Sequence, residues 1–303
     1  MVSRADRQDR ELANTLLASA AADLLRGLGA GRAAPVLAGV ARLASRGFVA
    51  DVADMDAAIA RGGLAAAADV VLPRYAGTVT IRGAERVPPS GPLVVAANHA
   101  GTVDAPALWR LLAARDDLRI IALDRPILRA VPHLSSRLLY VRRDAHGGSG
   151  LVRRVIDHLR SGGAVLTFPA GTIEPDPLLR LGDAVDSLAT WGSGVELFVR
   201  LVPEAAVLPI AVSGVISQRM LRNPIARWRA TSQDRELAAA TLQVLLRDRS
   251  INPVLSAGEP LRGGLEPGAL RAAMERLLRD GAPRPARHNA DPTATGWNTG
   301  GDE

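Results

Sequence analysis

His99 is followed five residues on by Asp104, in the segment Asn98-His99-Ala100-Gly101-Thr102-Val103-Asp104. Imidazole changes charge near neutral pH and is the usual side chain for removing a proton from a hydroxyl. A carboxylate one turn further on can accept from the other ring nitrogen. It would then fix the tautomer and stabilise the imidazolium. No protein nucleophile accompanies the pair. The spacing alone is also met by a loop histidine beside a helix-capping aspartate. His99 is nevertheless the only histidine with an aspartate at this distance. His133, His146, His158 and His288 show no ligand spacing with carboxylates and read as surface or loop residues. Other chemistries are excluded by what the chain lacks. There is no cysteine, hence no disulfide, thiolate metal site or cysteine nucleophile. All 37 cationic residues are arginine, which removes Schiff-base chemistry and the lysine of a phosphate-binding loop. No Gly-x-Ser-x-Gly elbow occurs. No metal site is expected.

The elements around this segment decide where it sits. The apolar run 92–97 reads as a buried strand that ends one residue before Asn98, and a helix begins near Asp104 with Pro106 in its first turn. In an open α/β sheet, ligands bind in the crevice beyond the carboxyl ends of the strands. Further strands are expected at 78–81, 118–123, 138–141, 164–168, 206–212 and 253–257. Helices are expected at 151–159, 194–201, 233–246 and 267–279. The alternation predicts an α/β fold, a mainly parallel sheet covered by helices. Residues 1–75 form an N-terminal helical extension, 76–281 the α/β domain, and 282–303 a disordered tail rich in Pro, Gly, Asn and Thr. Leu12, Leu16, Ala20 and Leu24 make an apolar stripe in the extension. That stripe would either pack on the domain or lie on a membrane or over a substrate.

The chain has 303 residues, 48% of them hydrophobic, so it can bury a substantial core. That core is aliphatic, because only 3% of residues are aromatic. The net charge is +6. Residues 110–160 carry eleven arginines against five aspartates, and 219–249 seven arginines against three acids. Such clusters suit solvated helix faces, anionic lipid or phosphate-bearing substrates. Nucleic acid is not expected as a partner, since few aromatics are available for stacking and no binding motif occurs. The longest uncharged stretch, 87–103, is interrupted by three prolines, Asn98 and His99, so no spanning helix is expected. The first ten residues lack a signal-peptide pattern. A soluble or peripheral protein at an anionic membrane surface is the expectation.

Four blocks in order give these features a family likeness. Asn98-His99-x-x-x-x-Asp104 resembles the first block of the glycerolipid acyltransferases, the lysophosphatidic acid and glycerol-3-phosphate acyltransferases. Leu139-Tyr140-Val141-Arg142-Arg143-Asp144 resembles the second block, Phe168-Pro169-Ala170-Gly171-Thr172 the third, and Val207-Leu208-Pro209-Ile210-Ala211-Val212 the fourth. The likeness spans roughly 77–280 and implies acyl transfer to a hydroxyl. The donor would be acyl-CoA or acyl-carrier protein, used as a co-substrate with no further cofactor. The acceptor would be a lysophospholipid or a glycerol-phosphate-type compound. His99 would be the base and Asp104 its orienting partner. Asn98, Arg143, Phe168, Pro169, Gly171, Thr172 and Pro209 would bind substrate. Arg143 would meet an anionic head group, Gly171 would let backbone approach the ligand, and Pro209 would line the donor region or else shape an edge strand. The resemblance also implies a cytoplasmic protein, peripheral on the inner membrane face. Ala170 stands where the family has Glu, and Ile173 where Arg often follows. Glu174 or Asp176 would then be the replacement carboxylate, and Arg180, Arg219 or Arg222 the replacement cation. The remaining alternatives are transfer to a different hydroxyl or amine, and a non-catalytic lipid-binding protein on the same fold.

Overall fold

The computed structural model describes residues 4–141 and 147–281. The apolar run at 93–97 becomes strand β2 (Leu93–Ala97), and all five of its residues are buried. Its side chains alternate between two cores. Leu93, Val95 and Ala97 face one, and Val94 and Ala96 face the other. A strand apolar on both faces has to lie inside a sheet covered on both sides.

The sheet completes that environment. Its strands are β1 (Thr80–Arg82), β2, β3 (Arg119–Leu123), β4 (Leu138–Val141), β5 (Ala164–Thr167), β6 (Ala206–Ser213) and β7 (Val254–Ala257). They are ordered β1-β7-β6-β2-β5-β3-β4. All neighbouring pairs run parallel except β6 and β7. From β2 the chain moves outward to β3 and β4, returns to place β5 beside β2, and then lays β6 on the other flank. The direction of winding therefore reverses at β2, where an α/β sheet opens a crevice.

Helices α1 (Arg4–Gly27), α2 (Ala34–Ala44) and α3 (Arg46–Tyr75) precede the sheet. Next come α4 (Asp104–Leu111), the short α5 (Pro126–Arg129) and α6 (Pro132–Ser135), and α7 (Gly147–Arg160). After β5 lie α8 (Leu181–Ser187) and α9 (Gly194–Leu201). After β6 lie the short α10 (Gln218–Leu221) and α11 (Pro224–Arg227), then α12 (Ser232–Leu245), with α13 (Ala269–Gly281) following β7. Residues of α3, α4 and α12 fill one core, and residues of α7, α9 and α13 the other. The 46–75 helix is kinked at Gly62 and Gly63. Gly63 adopts φ 72°, a conformation that glycine takes without strain.

The N-terminal stripe turns inward. Leu16, Ala20 and Leu24 of α1 are buried, Leu16 in the core that also takes in β2. It is α2 that stays apolar and uncovered. This helix buries only Ala41 and leaves Val36, Leu37, Val40 and Leu43 exposed. The tail 282–303 and residues Arg142, Arg143, Asp144 and His146 lie outside the described residues. His158 is not the surface or loop histidine expected from sequence. It is a half-buried residue of α7, and its Nε2 lies 2.8 Å from the Asp117 carbonyl and 3.2 Å from that of Ala164.

Candidate active site

His99 stands just past the carboxyl end of β2, and α4 starts five residues later. This strand-to-helix turn brings the Asp104 carboxylate back to the imidazole. His99 Nδ1 lies 2.7 Å from Asp104 Oδ2. The same oxygen accepts the Gly101 backbone N–H at 3.0 Å, and Oδ1 accepts that of Ala105 at 2.7 Å. Asp104 is wholly buried, whereas the His99 side chain remains 31% exposed. Held through Nδ1, the ring has its Nε2 edge left for a ligand. The Phe168 ring stacks on the imidazole, with centroids 4.5 Å apart and planes at 29°.

Burial of the imidazole disfavours its charged form. The Asp104 charge, the hydrogen bond that the imidazole donates to that carboxylate and the charge of Glu174 act the other way and prevail. The result is a base stronger than an ordinary histidine.

The backbone that carries His99 is fixed from the loop after β5. The Glu174 N–H donates to the His99 carbonyl at 2.6 Å, and the His99 N–H donates to Glu174 Oε2 at 2.9 Å. Glu174 Oε1 accepts from Trp191 Nε1 at 2.8 Å and from Ser187 Oγ at 3.0 Å. Two residues on, Asp176 accepts the backbone N–H groups of Leu178, Gly214, Val215 and Ile216. Burial raises the Asp176 carboxyl above its ordinary value in spite of those four bonds. Both carboxylates are buried and so engaged that neither is the replacement acceptor group expected from sequence. The sequence carried a signal for the local shape of this segment but not for its partners. Glu174-Pro175-Asp176-Pro177 must be extended, because a residue before proline avoids the helical region, and in an extended segment positions i and i+2 share a face. Trp191 and Ser187 carried no such signal.

The remaining expected residues divide. Phe168 joins the site through its ring, and Pro169, half-buried, accepts the Gly192 N–H at 3.0 Å. Gly171 and Thr172 are exposed in the same loop. Gly171 has φ 64° and open space where a side chain would be, so the backbone turn rather than close packing selects glycine. The Asn98 side chain turns inward. Its amide is buried and bonds the Val212 backbone in both directions, at 2.8 and 2.7 Å, tying the end of β2 to β6. Pro209 is buried inside β6, between β2 and β7, so it neither shapes an edge strand nor lines an open surface. Its carbonyl accepts the Gly258 N–H at 2.8 Å. Arg180 is engaged with Glu236 at 2.6 Å and with Asp183, while Arg219 and Arg222 are exposed on and beside α10. Arg143 cannot be placed, being outside the described residues. Among the described residues no group of three or more potential metal ligands is assembled.

Residues 78–213 match the Acyltransferase family model. No curated protein sequence matches the chain. Among solved structures, the chain is similar to that of the 1-acyl-sn-glycerophosphate (LPA) acyltransferase PlsC from Thermotoga maritima. Identity is 18%, with 91% of this chain and 93% of that chain covered and a TM-score of 0.43. The matched segment, 136 of the 303 residues, runs from the start of the sheet to the end of β6 and contains His99, Asp104, Phe168 and Glu174.

Proposed function

We propose that this protein moves a fatty acyl group from a thioester, acyl-CoA or acyl-carrier protein, to the hydroxyl of a lysophospholipid or glycerol-phosphate-type acceptor. The observation that carries this reading is the half-exposed His99 ring, held through Nδ1 by a wholly buried Asp104 at the mouth of the sheet. His99 Nε2 takes the proton from the acceptor hydroxyl as its oxygen attacks the thioester carbonyl. The C–S bond of the resulting tetrahedral intermediate then breaks, and the imidazolium returns the proton to the departing thiolate. Asp104 stabilises the imidazolium throughout. No acyl-enzyme is formed, and no metal takes part. Exposed Gly171 and Thr172 lie in the same loop as Phe168 and would meet the acceptor, with Arg143 on its anionic head group. A pairing of this kind suits turnover better than mere lipid binding, because storage of a lipid needs no oriented base.

The partner surface is an anionic membrane, at its cytoplasmic inner face. Support comes from α2, whose Val36, Leu37, Val40 and Leu43 are exposed, with Val36 at 85% and Val40 at 68%. Arg32, Arg42 and Arg46 flank them and are exposed too. The Arg229 guanidinium fills the space beside Gly29, in the turn that leads to α2, and the neighbouring Trp228 is 94% exposed. An apolar helix face rimmed by arginine and an exposed tryptophan suits the interfacial zone of a bilayer. Among the described residues no helix is long and apolar enough to cross a membrane.

The test is purified protein with labelled acyl-CoA and a panel of lysolipids, glycerol phosphate, other alcohols and amines, with products read by mass spectrometry. Acylated glycerolipid that is lost in His99→Ala is the expected result. Acylation of amines alone, or of nothing while lipid still binds, would overturn the reading.

A further inference from the structure

We infer that Glu174 is the positioning residue of the base, fixing the backbone of His99 and setting a second negative charge beside its ring. The inference rests on the acyl-transfer reading above.

Glu174 joins both backbone groups of His99. Its own N–H reaches the His99 carbonyl, and its Oε2 accepts the His99 N–H. The ring is held from α4 by Asp104, while residue 174 holds the chain that carries it. Phe168, from the same loop, packs on the ring face. The base is therefore gripped at three places by two segments that are distant in sequence.

The far side of the Glu174 carboxylate is held by Trp191 Nε1 and Ser187 Oγ, beyond and at the end of α8. The three side-chain contacts of this carboxylate are all with uncharged donors. An acceptor-only group is required, because three donors converge on two oxygens. An amide in its place would turn an NH2 toward one of them. A charge held by neutral donors in a buried place also keeps its field. Two carboxylates face His99, Asp104 from the first turn of α4 and Glu174 from the loop after β5, and the charge of each favours the protonated imidazole. Asp176 turns instead to the amides at 214–216. Glu174 is 3% exposed, so it acts through His99 and does not touch substrate.

The test uses the full chain with Glu174→Gln, in two measurements. The His99 imidazole is titrated by NMR, its signal assigned by its loss in His99→Ala. Acyl transfer from acyl-CoA is followed against pH with the best acceptor. The expected result is a lower His99 midpoint and an acid limb of kcat/KM moved to lower pH. A fall in kcat of about 10- to 100-fold, with KM within about threefold, accompanies it, as for a misplaced base. Glu174→Asp, which keeps the charge, recovers part of the midpoint. A folded Glu174→Gln with the wild-type midpoint and acid limb overturns the inference, whatever its melting temperature. If Glu174→Gln does not fold, Trp191→Phe replaces it. That change keeps an aromatic ring but removes one donor from Oε1, so the less neutralised carboxylate raises the His99 midpoint. An unmoved midpoint there overturns the inference equally. Wild-type protein that acylates no acceptor refutes the reaction instead, and the NMR arm still decides the coupling.

Discussion

Asp104 Oδ2 lies 2.7 Å from His99 Nδ1 and accepts the Gly101 N–H as well, so one buried oxygen fixes both the imidazole and the turn beneath it. Asparagine cannot reproduce this. Its NH2 would face either both of those donors or, with the amide flipped, the Ala105 N–H that Oδ1 accepts, and in either case the negative charge beside the imidazole is lost. Asp104→Asn is therefore expected to lower kcat about 100-fold or more, the scale of general-base catalysis. It should also destabilise the fold by about 1–3 kcal/mol, the cost of an unmet buried polar group. His99→Ala should lose turnover similarly but keep its fold, because the ring is partly exposed. Steady-state kinetics and thermal melts of both variants check this. Wild-type rates in a folded His99→Ala protein would remove His99 from the mechanism.

The pH dependence follows from the raised basicity of His99. The base works only when neutral, so kcat/KM should rise with pH through the His99 pKa. Its acid limb should lie above the ordinary histidine value of about 6.5. The stability consequence has the opposite sense. A folded-state pKa above the unfolded one means that the native protein binds the proton more tightly. That stabilisation is complete below the unfolded value and is lost as pH rises through the folded one. Thermal melts of wild type and His99→Ala across pH 5–9 should therefore differ most at the acid end. A difference that grows toward alkaline pH would contradict the assignment of the shift.

Membrane binding should reside in α2. Val36→Asp with Val40→Asp places two charges on a face that buries nothing in the free protein. The fold should be unchanged, while binding to anionic vesicles should weaken about tenfold or more, given about 1.5–3 kcal/mol for each valine-sized side chain buried. Added salt should weaken wild-type binding too, since exposed charges are screened over about 8 Å. Vesicle flotation measures both. Retention on membranes through a high-salt, alkaline wash would point to deep insertion of 1–75 instead.

The acceptor should respond to the loop after β5. Ala170 is half-buried and packs against the apolar cluster around Val94 and Ala96, and Ile173 is half-buried as well. Their apolar character favours a lipid chain or a weakly charged head group over a phosphate. Ala170→Glu with Ile173→Arg should raise kcat/KM for lysophosphatidic acid relative to a neutral lysolipid. The gain should be about one to two decades, the worth of a charged hydrogen bond. A wild type that already prefers lysophosphatidic acid, saturating at low concentration, would show that these two positions do not report the acceptor.

Most of the framework was legible in the chain. A strand apolar at every position, as at 93–97, can only be interior, and the alternation of such runs with helical periods specifies a parallel sheet with two covered faces. Leu138–Val141 and Gly194–Leu201 end where the sequence pattern ends them. The His99–Asp104 pair was legible for the same reason, since five residues across a strand-to-helix turn is a local distance. What the sequence left open is what depends on contacts between distant segments. Leu16, Ala20 and Leu24 of α1 are buried, whereas Val36, Val40 and Leu43 of α2 are exposed although α2 is the more apolar helix, because only packing decides which face is covered. Asn98 and Pro209 carried family roles at the substrate, yet the tertiary structure turns one into a clamp on Val212 and encloses the other within β6. Glu174 and His99 are 75 positions apart. Periodicity and spacing act over a turn or a strand, whereas a hydrogen bond across that separation forms only once β2 and β5 lie side by side.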